Sequence, residues 1–371
     1  MKYKILTLVG TRPEIIRLSE IIKKIDKNFN HILVHTNQNF DVKLKDVFFN
    51  NFKLKKPKYD FKIKETTVSK TIAQILIKTE EVIQKEKPDA FFVLGDTNSC
   101  LGAIVAKKYK IPIFHYEAGN RCFDERVPEE NNRKIIDHLA DINITYSEFA
   151  SKNLLREGIK ADRIVKVGSP LLEVYMANKD KINKSKILTQ LKLKKNNYIL
   201  ISYHREENVD NIFKLKSFLK TIQILQKNLN KIIVVSLHPR TRNRINKIDL
   251  LKNKKIKFMD PFDYFDYMKL QSLAFLVISD SGSLSEESSI LGIKAITLRD
   301  SMERQEAMEN ATILMSTLDH NNLYNSINIL LENSFKPNII NDYNEKNISD
   351  KICRIISSYI EFINREVWKK S

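Results

Sequence analysis

Short apolar runs that recur along the chain, each followed by an amphipathic stretch, constrain its fold more than any other feature. In the first half these runs are YKILTLV (3–9), HILVHT (31–36), AFFVLG (90–95), IPIFHYE (111–117) and DINITYS (141–147). Between them lie segments such as IIRLSEIIKKI (15–25) and VSKTIAQILIKTEEVIQK (68–85). Their apolar residues fall at i, i+3, i+4 and i+7, the period of a helix with one buried face. The second half repeats the alternation with YILISYH (198–204), KIIVVSLH (231–238), IKFMD (256–260), AFLVISD (274–280) and AITL (295–298). Helical segments are expected there at 212–228, 263–273, 284–292 and 319–333. Strands that are apolar on both faces and alternate with helices build parallel sheets covered on both sides. The expected class is α/β, with two Rossmann-like doubly wound domains facing a cleft.

The stretch VGSPLLEVYMANKDKINKSK (167–186) passes from a Gly-Ser-Pro loop into a polar helix and marks the boundary. The expected division is 1–172 for an N-terminal domain and 173–355 for a C-terminal one. The last helical pattern, 351–368, is amphipathic, and its end, 356–371, is free to cross back to the N-terminal domain.

Composition excludes several classes. The chain carries 63 Lys and Arg against 45 Asp and Glu, a formal charge of +18. The excess Lys is spread over 53–58, 184–195, 252–257 and the C-terminal WKK, in loops and helix ends. A nucleic-acid binder gathers its charge on one face and interleaves aromatics, so a solvated surface and no nucleic-acid partner are expected. The N-terminal apolar stretch is broken by Gly10 and Arg12, too short for a signal peptide or a membrane span. Cys100, Cys122 and Cys353 lie far apart without CxxC spacing, so neither disulfides nor structural zinc are expected. These readings describe a soluble, cytoplasmic protein.

Glycine is scarce, 8 in 371 residues, and so falls where the backbone needs it. Gly10, Gly95, Gly119, Gly168 and Gly282 sit in GTRPE, LGDT, EAG, VGSP and DSGS. Ligands of doubly wound sheets bind beyond the carboxyl ends of the strands, and those ends carry polar residues almost throughout. They are Gly10–Glu14, Asp96-Thr97-Asn98, His115 with Glu117, His204-Arg205-Glu206, His238-Pro239-Arg240 and Asp280-Ser281-Gly282-Ser283. Any one alone is explained as well by a helix cap; six together are not. Ser281-Gly282-Ser283 before a helix offers free backbone N–H groups and the positive end of the helix dipole to an anion. There is no GxxxxGK[ST] and no GxGxxG, which argues against ATP hydrolysis and against NAD as a dissociable redox cosubstrate. The stretch 117–133 is dense in carboxylates and Arg. Pro128, Glu129 and Glu130 suit the first turn of a helix, and the same loop can carry a general acid or base. The histidines fall on different strands, so no metal site is expected.

Seven collinear motifs resemble the non-hydrolysing UDP-N-acetylglucosamine 2-epimerase family. They are GTRPE (10–14), GDT (95–97), HYEAGNR (115–121), PEENNR (128–133), YHREEN (203–208), DSGS…EE (280–287) and RDSMERQEA (299–307). The resemblance implies a glycosyltransferase-B-like fold, a UDP-activated 2-acetamido sugar as ligand, a homodimer and no cofactor. It also implies that Arg12, Arg17, His204, Ser281, Gly282, Glu287 and Arg304 hold UDP, with Phe262 and Tyr267 packing on uracil. Asp96, Glu117 and Glu129 match the carboxylates used near C2 of the sugar, and His204 joins them as a catalytic candidate. The reaction implied is elimination of UDP to a 2-acetamidoglycal, then re-addition with a proton delivered to the other face. Which carboxylate removes the proton stays open.

Within the family, the compact NRCFDERVPEENNRKIIDH (120–138), SYHREEN and LHPRTR are closer to the branch that includes UDP-N-acetyl-L-fucosamine synthase. That branch acts at C2 of UDP-2-acetamido-2,6-dideoxy-L-talose, a precursor class for capsule and O-antigen. Phe123 or Val127 would supply apolar surface for a 6-deoxy sugar. Ser283 and Gln305 replace a common glycine and a common proline. The segments 38–44 and 238–242 differ from the branch regulated by UDP-N-acetylglucosamine, so no such activation is expected. The alternative substrate pair is UDP-N-acetylglucosamine and UDP-N-acetylmannosamine. A glycosyltransferase of similar fold ranks below both.

Overall fold

A computed structural model describes residues 2–37, 48–65, 67–203, 212–237, 253–332 and 339–370. The chain forms two compact units, one made of Met1–Tyr175 with Asn341–Ser371 and the other of Met176–Ile340.

The first unit holds a sheet of seven strands: β1 (Lys4–Val9), β2 (Asn30–His35), β3 (Tyr59–Asp60), β4 (Ala90–Leu94), β5 (Ile113–Ala118), β6 (Ile142–Thr145) and β7 (Ile164–Lys166). All neighbours pair in parallel, in the order β3-β2-β1-β4-β5-β6-β7. Leu6 and Leu8 of β1, Ile32 and Val34 of β2, and Phe91 and Val93 of β4 pack with Ile75 and Ile83 of the helix Val68–Glu86. The alternate residues Ile5, Leu33 and Phe92 are buried too. Burial of both faces is why these strands read as unbroken apolar runs rather than as an alternation.

The second unit repeats the plan with β8 (Tyr198–Ser202), β9 (Ile232–Ser236), β10 (Ile256–Met259), β11 (Leu276–Ser279), β12 (Ala295–Thr297) and β13 (Leu314–Met315). Their order is β10-β9-β8-β11-β12-β13, again all parallel. Ile199, Ile201, Ile233, Val235 and Ile278 pack against Phe218 and Ile222 of the helix Ile212–Leu229. In both sheets the strand order reverses direction beside the first strand, between β1 and β4 and between β8 and β11. Such switch points open a crevice for ligands, and the GTRPE, GDT and DSGS loops follow β1, β4 and β11 there.

The expected α/β class is the observed one. The edge strands β3, β7 and β13 have two or three residues each and left no apolar run to read. Against the boundaries 1–172 and 173–355, the compact units change over at 175/176 and the chain returns to the first unit at 341. The return comes early because the whole helix Ile348–Glu366, not only its end, lies on the helix Arg12–Asn28. Ile352, Ile356, Ile360 and Ile363 form its buried stripe, Lys24 meets Asp350 at 2.8 Å, and the Tyr3 hydroxyl donates to Glu361 at 3.0 Å. No described helix is long and apolar enough to cross a membrane.

Candidate active site

In the first unit β1 ends at Val9 and is followed by Gly10, and Thr11 takes an extended conformation as the N-cap of the helix Arg12–Asn28, with Pro13 in its first turn. Glu14 reaches back to this turn. Its Oε2 accepts hydrogen bonds from the N–H of Gly10 (3.1 Å), the N–H of Thr11 (2.7 Å) and the Thr11 hydroxyl (2.6 Å). Its Oε1 accepts from the Thr97 hydroxyl at 3.2 Å. Burial pushes the Glu14 carboxyl up to about 7, although hydrogen bonds from Thr11, Gly10 and Thr97 oppose the shift. Arg12 is exposed, its guanidinium 5.4 Å from the centre of the Phe48 ring. Arg17 is buried on another face of the helix. It donates to the Tyr146 hydroxyl at 3.4 Å and lies 3.9 Å from Glu117 Oε2.

The ends of β4 and β5 lie side by side. Gly95 has φ +71°, and a Cβ there would stand 3.7 Å from Glu117 Oε2. Asp96, the next residue, receives Arg133 Nη2 at 2.7 Å, while Asn132 Nδ2 donates to the Asp96 carbonyl at 2.9 Å. Glu117 itself has φ +73°, at the point where the β5–β6 register shifts between Tyr116 and Ala118. A positive φ at a non-glycine residue is strained, and such strain gathers at functional positions. The Tyr146 hydroxyl donates to Glu117 Oε2 at 3.2 Å.

The helix Pro128–Leu139 divides the two glutamates of its first turn. Glu129 is half-buried. Glu130 is fully buried and accepts from the backbone N–H groups of Cys122 and Phe123, both at 3.1 Å, and from the Cys122 thiol at 3.2 Å. Arg133 Nη1 stands 3.1 Å from it. Glu130 thus shapes the 120–127 loop and leaves Glu129 on the outer side. Behind the loop, His115 places Nδ1 2.8 Å from Asp137 and Nε2 2.9 Å from the Gly95 carbonyl. Arg121 donates to Asp137 at 2.7 Å and forks onto Glu157 at 2.7 and 2.6 Å. Burial alone would raise the Asp137 carboxyl; the His115 hydrogen bond and the charges of His115 and Arg121 outweigh it and hold it below the usual range. Val127 is buried, and Phe123 is 70% exposed.

In the second unit β11 leads into buried Asp280, then Ser281-Gly282-Ser283 and the helix Leu284–Leu291. The Ser281 and Ser283 hydroxyls lie 3.0 Å apart, and Ser283 does not cap the helix with its side chain. A Cβ on Gly282 would come within 2.6 Å of Glu303 Oε1 and 3.0 Å of Arg299 Nη1. Those two side chains form a fork at 3.0 and 3.1 Å. Glu287 accepts from Gln271 at 2.7 Å, which ties the helix Leu284–Leu291 to Tyr264–Leu273, the helix that carries Tyr267. Phe262 and Tyr267 are half-buried, and Asp263 between them caps that helix by accepting from the Asp266 N–H at 2.8 Å. Arg304 is buried and stands 3.4 Å from buried Glu286.

The structure therefore groups Asp96, Glu117 and Arg17 in one unit, and Ser281, Gly282 and Glu287 in the other, with Tyr267 joined through Gln271. Arg17 lies beside Glu117 rather than with Arg12. His204 and the segments 38–44 and 238–242 lie outside the described residues. Glu14, Tyr146, Arg133 and the Arg299–Glu303 pair were not assigned roles from the sequence, and Glu130 was assigned only to the first turn of its helix. Among the described residues no three His, Cys, Asp or Glu side chains cluster to hold a metal.

Residues 23–357 match the family model described as UDP-N-acetylglucosamine 2-epimerase. The UDP-N-acetylglucosamine 2-epimerase of Methanocaldococcus jannaschii is 37% identical over 363 residues, 95% of this chain and 99% of that protein. A crystal structure of the Methanocaldococcus jannaschii UDP-GlcNAc 2-epimerase, in complex with UDP-GlcNAc and UDP, matches with a TM-score of 0.88 and 36% identity, covering 96% of this chain and 99% of that one. The structure of the UDP-N-acetylglucosamine 2-epimerase from Rickettsia bellii matches with a TM-score of 0.94 and 45% identity, covering both chains fully (100% and 100%). The UDP-2,3-diacetamido-2,3-dideoxy-D-glucuronate 2-epimerase of Pseudomonas aeruginosa is 35% identical over 305 residues, 81% of this chain and 84% of that protein.

Proposed function

The chain belongs to the UDP-N-acetylglucosamine 2-epimerase family, and we propose that it inverts C2 of a UDP-2-acetamido sugar by eliminating UDP and adding it back. The observation that carries this reading is the pair of carboxylates at the adjacent ends of β4 and β5. Asp96 is held by Arg133, and Glu117 is held by Tyr146 on a strained backbone.

The C2 proton has no carbonyl beside it and is poorly acidic. Breaking the C1–O bond first sends the electron pair to the departing diphosphate and leaves positive charge at C1, which nearby carboxylates stabilise. Loss of the C2 proton to one carboxylate then gives the 2-acetamidoglycal. Return of a proton from another group to the opposite face, with UDP re-adding at C1, completes the inversion. Asp96, Glu117 and Glu129 are the proposed acid/base set, with His204 alongside them. Ser281, Gly282, Arg12, His204 and Arg304 are the proposed diphosphate ligands, which lower the barrier by stabilising the leaving group. Glu287 and Arg17 are proposed for the UDP moiety, and Phe262 and Tyr267 for its uracil.

For the sugar, two readings rest on different observations. UDP-2-acetamido-2,6-dideoxy-L-talose, giving UDP-N-acetyl-L-fucosamine, is supported by the compact 120–127 loop and the exposed Phe123 ring, which offers apolar surface to a C6 methyl. UDP-N-acetylglucosamine, giving UDP-N-acetylmannosamine, is supported by the names of the relatives that align over nearly the whole chain.

NMR of C2 deuterium incorporation in D2O, with each sugar nucleotide offered separately, decides between them. Exchange with the L-sugar and accumulation of its epimer supports the first; exchange only with UDP-N-acetylglucosamine supports the second. No exchange with either overturns the proposed reaction. In the same assay Glu117→Gln is expected to abolish exchange while UDP still binds. Retained exchange with lost UDP affinity would remove Glu117 from the acid/base set.

A further inference from the structure

We propose that Glu14 is a positioning residue: one carboxylate, shared between two loops, fixes the turn bearing Arg12 against the loop bearing Asp96. The inference rests on the acid/base role proposed above for Asp96. The two loops leave the carboxyl ends of β1 and β4, which are neighbours in the sheet. Oε2 gathers the Gly10 N–H, the Thr11 N–H and the Thr11 hydroxyl, and Oε1 takes the Thr97 hydroxyl from the other loop. Thr97 directly follows Asp96.

An ordinary capping box needs only the N-cap bonds and sits well in solvent. Here the glutamate is 2% exposed, and a buried carboxylate costs free energy unless its oxygens are satisfied. The bonds to Gly10 and Thr97 lie outside the capping box, and the one to Thr97 leaves the helix altogether. A residue that only started a helix would not need it. Each loop therefore takes its position from the other, and a shift of Glu14 displaces Arg12 and Asp96 together.

A double-mutant cycle tests this with Thr97→Val, Glu14→Ala and the double variant, read as kcat for C2 exchange and as UDP affinity by calorimetry. Thr97→Val cuts the strut and leaves the helix cap whole, so kcat should fall about 10-fold or more, as a small misplacement does, with UDP affinity unchanged. Glu14→Ala should lower both. The double variant should be no slower than Glu14→Ala, because one strut cannot be removed twice. Additive losses, or a wild-type rate in Thr97→Val, overturn the proposal. Should Glu14→Ala not fold, Thr97→Ser must recover the rate lost in Thr97→Val, and failure to recover it counts equally against the strut. Asp96→Asn is measured alongside. Full activity there removes Asp96 from the chemistry, whereas an inactive Asp96→Asn beside a wild-type Thr97→Val removes only the strut.

Discussion

Arg133 meets Asp96 at 2.7 Å, and this contact ties the helix that carries Glu129 to the strand end that carries Asp96. The same guanidinium stands 3.1 Å from Glu130, the residue that shapes the 120–127 loop. Two carboxylates and one planar cation make an arrangement that a lysine cannot copy, because its ammonium is a single point of charge. Arg133→Lys is expected to lower kcat by about 10- to 100-fold, the scale of a displaced catalytic group. UDP affinity should hold. Calorimetry with UDP, set beside the C2 exchange rate, checks the split; equal loss of both would mean that the arginine supports the fold rather than the chemistry.

Packing alone calls for a glycine at 282. The space where its Cβ would stand is taken by the Glu303–Arg299 fork, with Glu303 Oε1 at 2.6 Å. Gly282→Ala must push that fork aside, an overpacking cost of about 1–3 kcal/mol. A lower urea midpoint and weaker UDP binding are expected together. Unchanged values in both experiments would show that the fork yields without consequence.

Glu14 makes stability depend on pH in an uncommon direction. Its folded-state value of about 7 lies above the ordinary 4.5, so the native chain holds this proton more tightly than the unfolded one. That contribution is complete below pH 4.5 and is lost as pH rises toward 7. Glu14→Gln cannot titrate and serves as the reference. Relative to it, the wild type should lose about 3 kcal/mol of urea stability across that window, from the energy of one pKa unit. Two stability curves that run parallel from acid to neutral pH would contradict the burial argument.

The strands other than β3, β7 and β13 were legible because strands buried on both faces write themselves as apolar runs, whereas their order in each sheet came only from the structure. The strand ends were legible because polar residues there have few other reasons to follow such runs. Partners were less so. Arg12 and Arg17 are five residues apart, about 140° around a helix, and the structure sends Arg17 to Glu117 and Tyr146. Tyr146 could not be linked to Glu117 from sequence, since the contact joins two strand ends through a single hydroxyl. Glu129 and Glu130 were equivalent on paper. Only the return of the 120–127 loop onto the helix shows that the second is buried in backbone hydrogen bonds.

The helix Ile348–Glu366 closes over Arg12–Asn28 in the unit that the chain begins. During synthesis, then, the unit begun before residue 176 is completed only after residue 340. While the entire second unit is being translated, the first 175 residues must wait with one flank uncovered. Ribosomes that stall or terminate beyond residue 340 would release a finished second unit joined to an unfinished first one. For this fold, the stretch after residue 340 decides whether the first unit is covered.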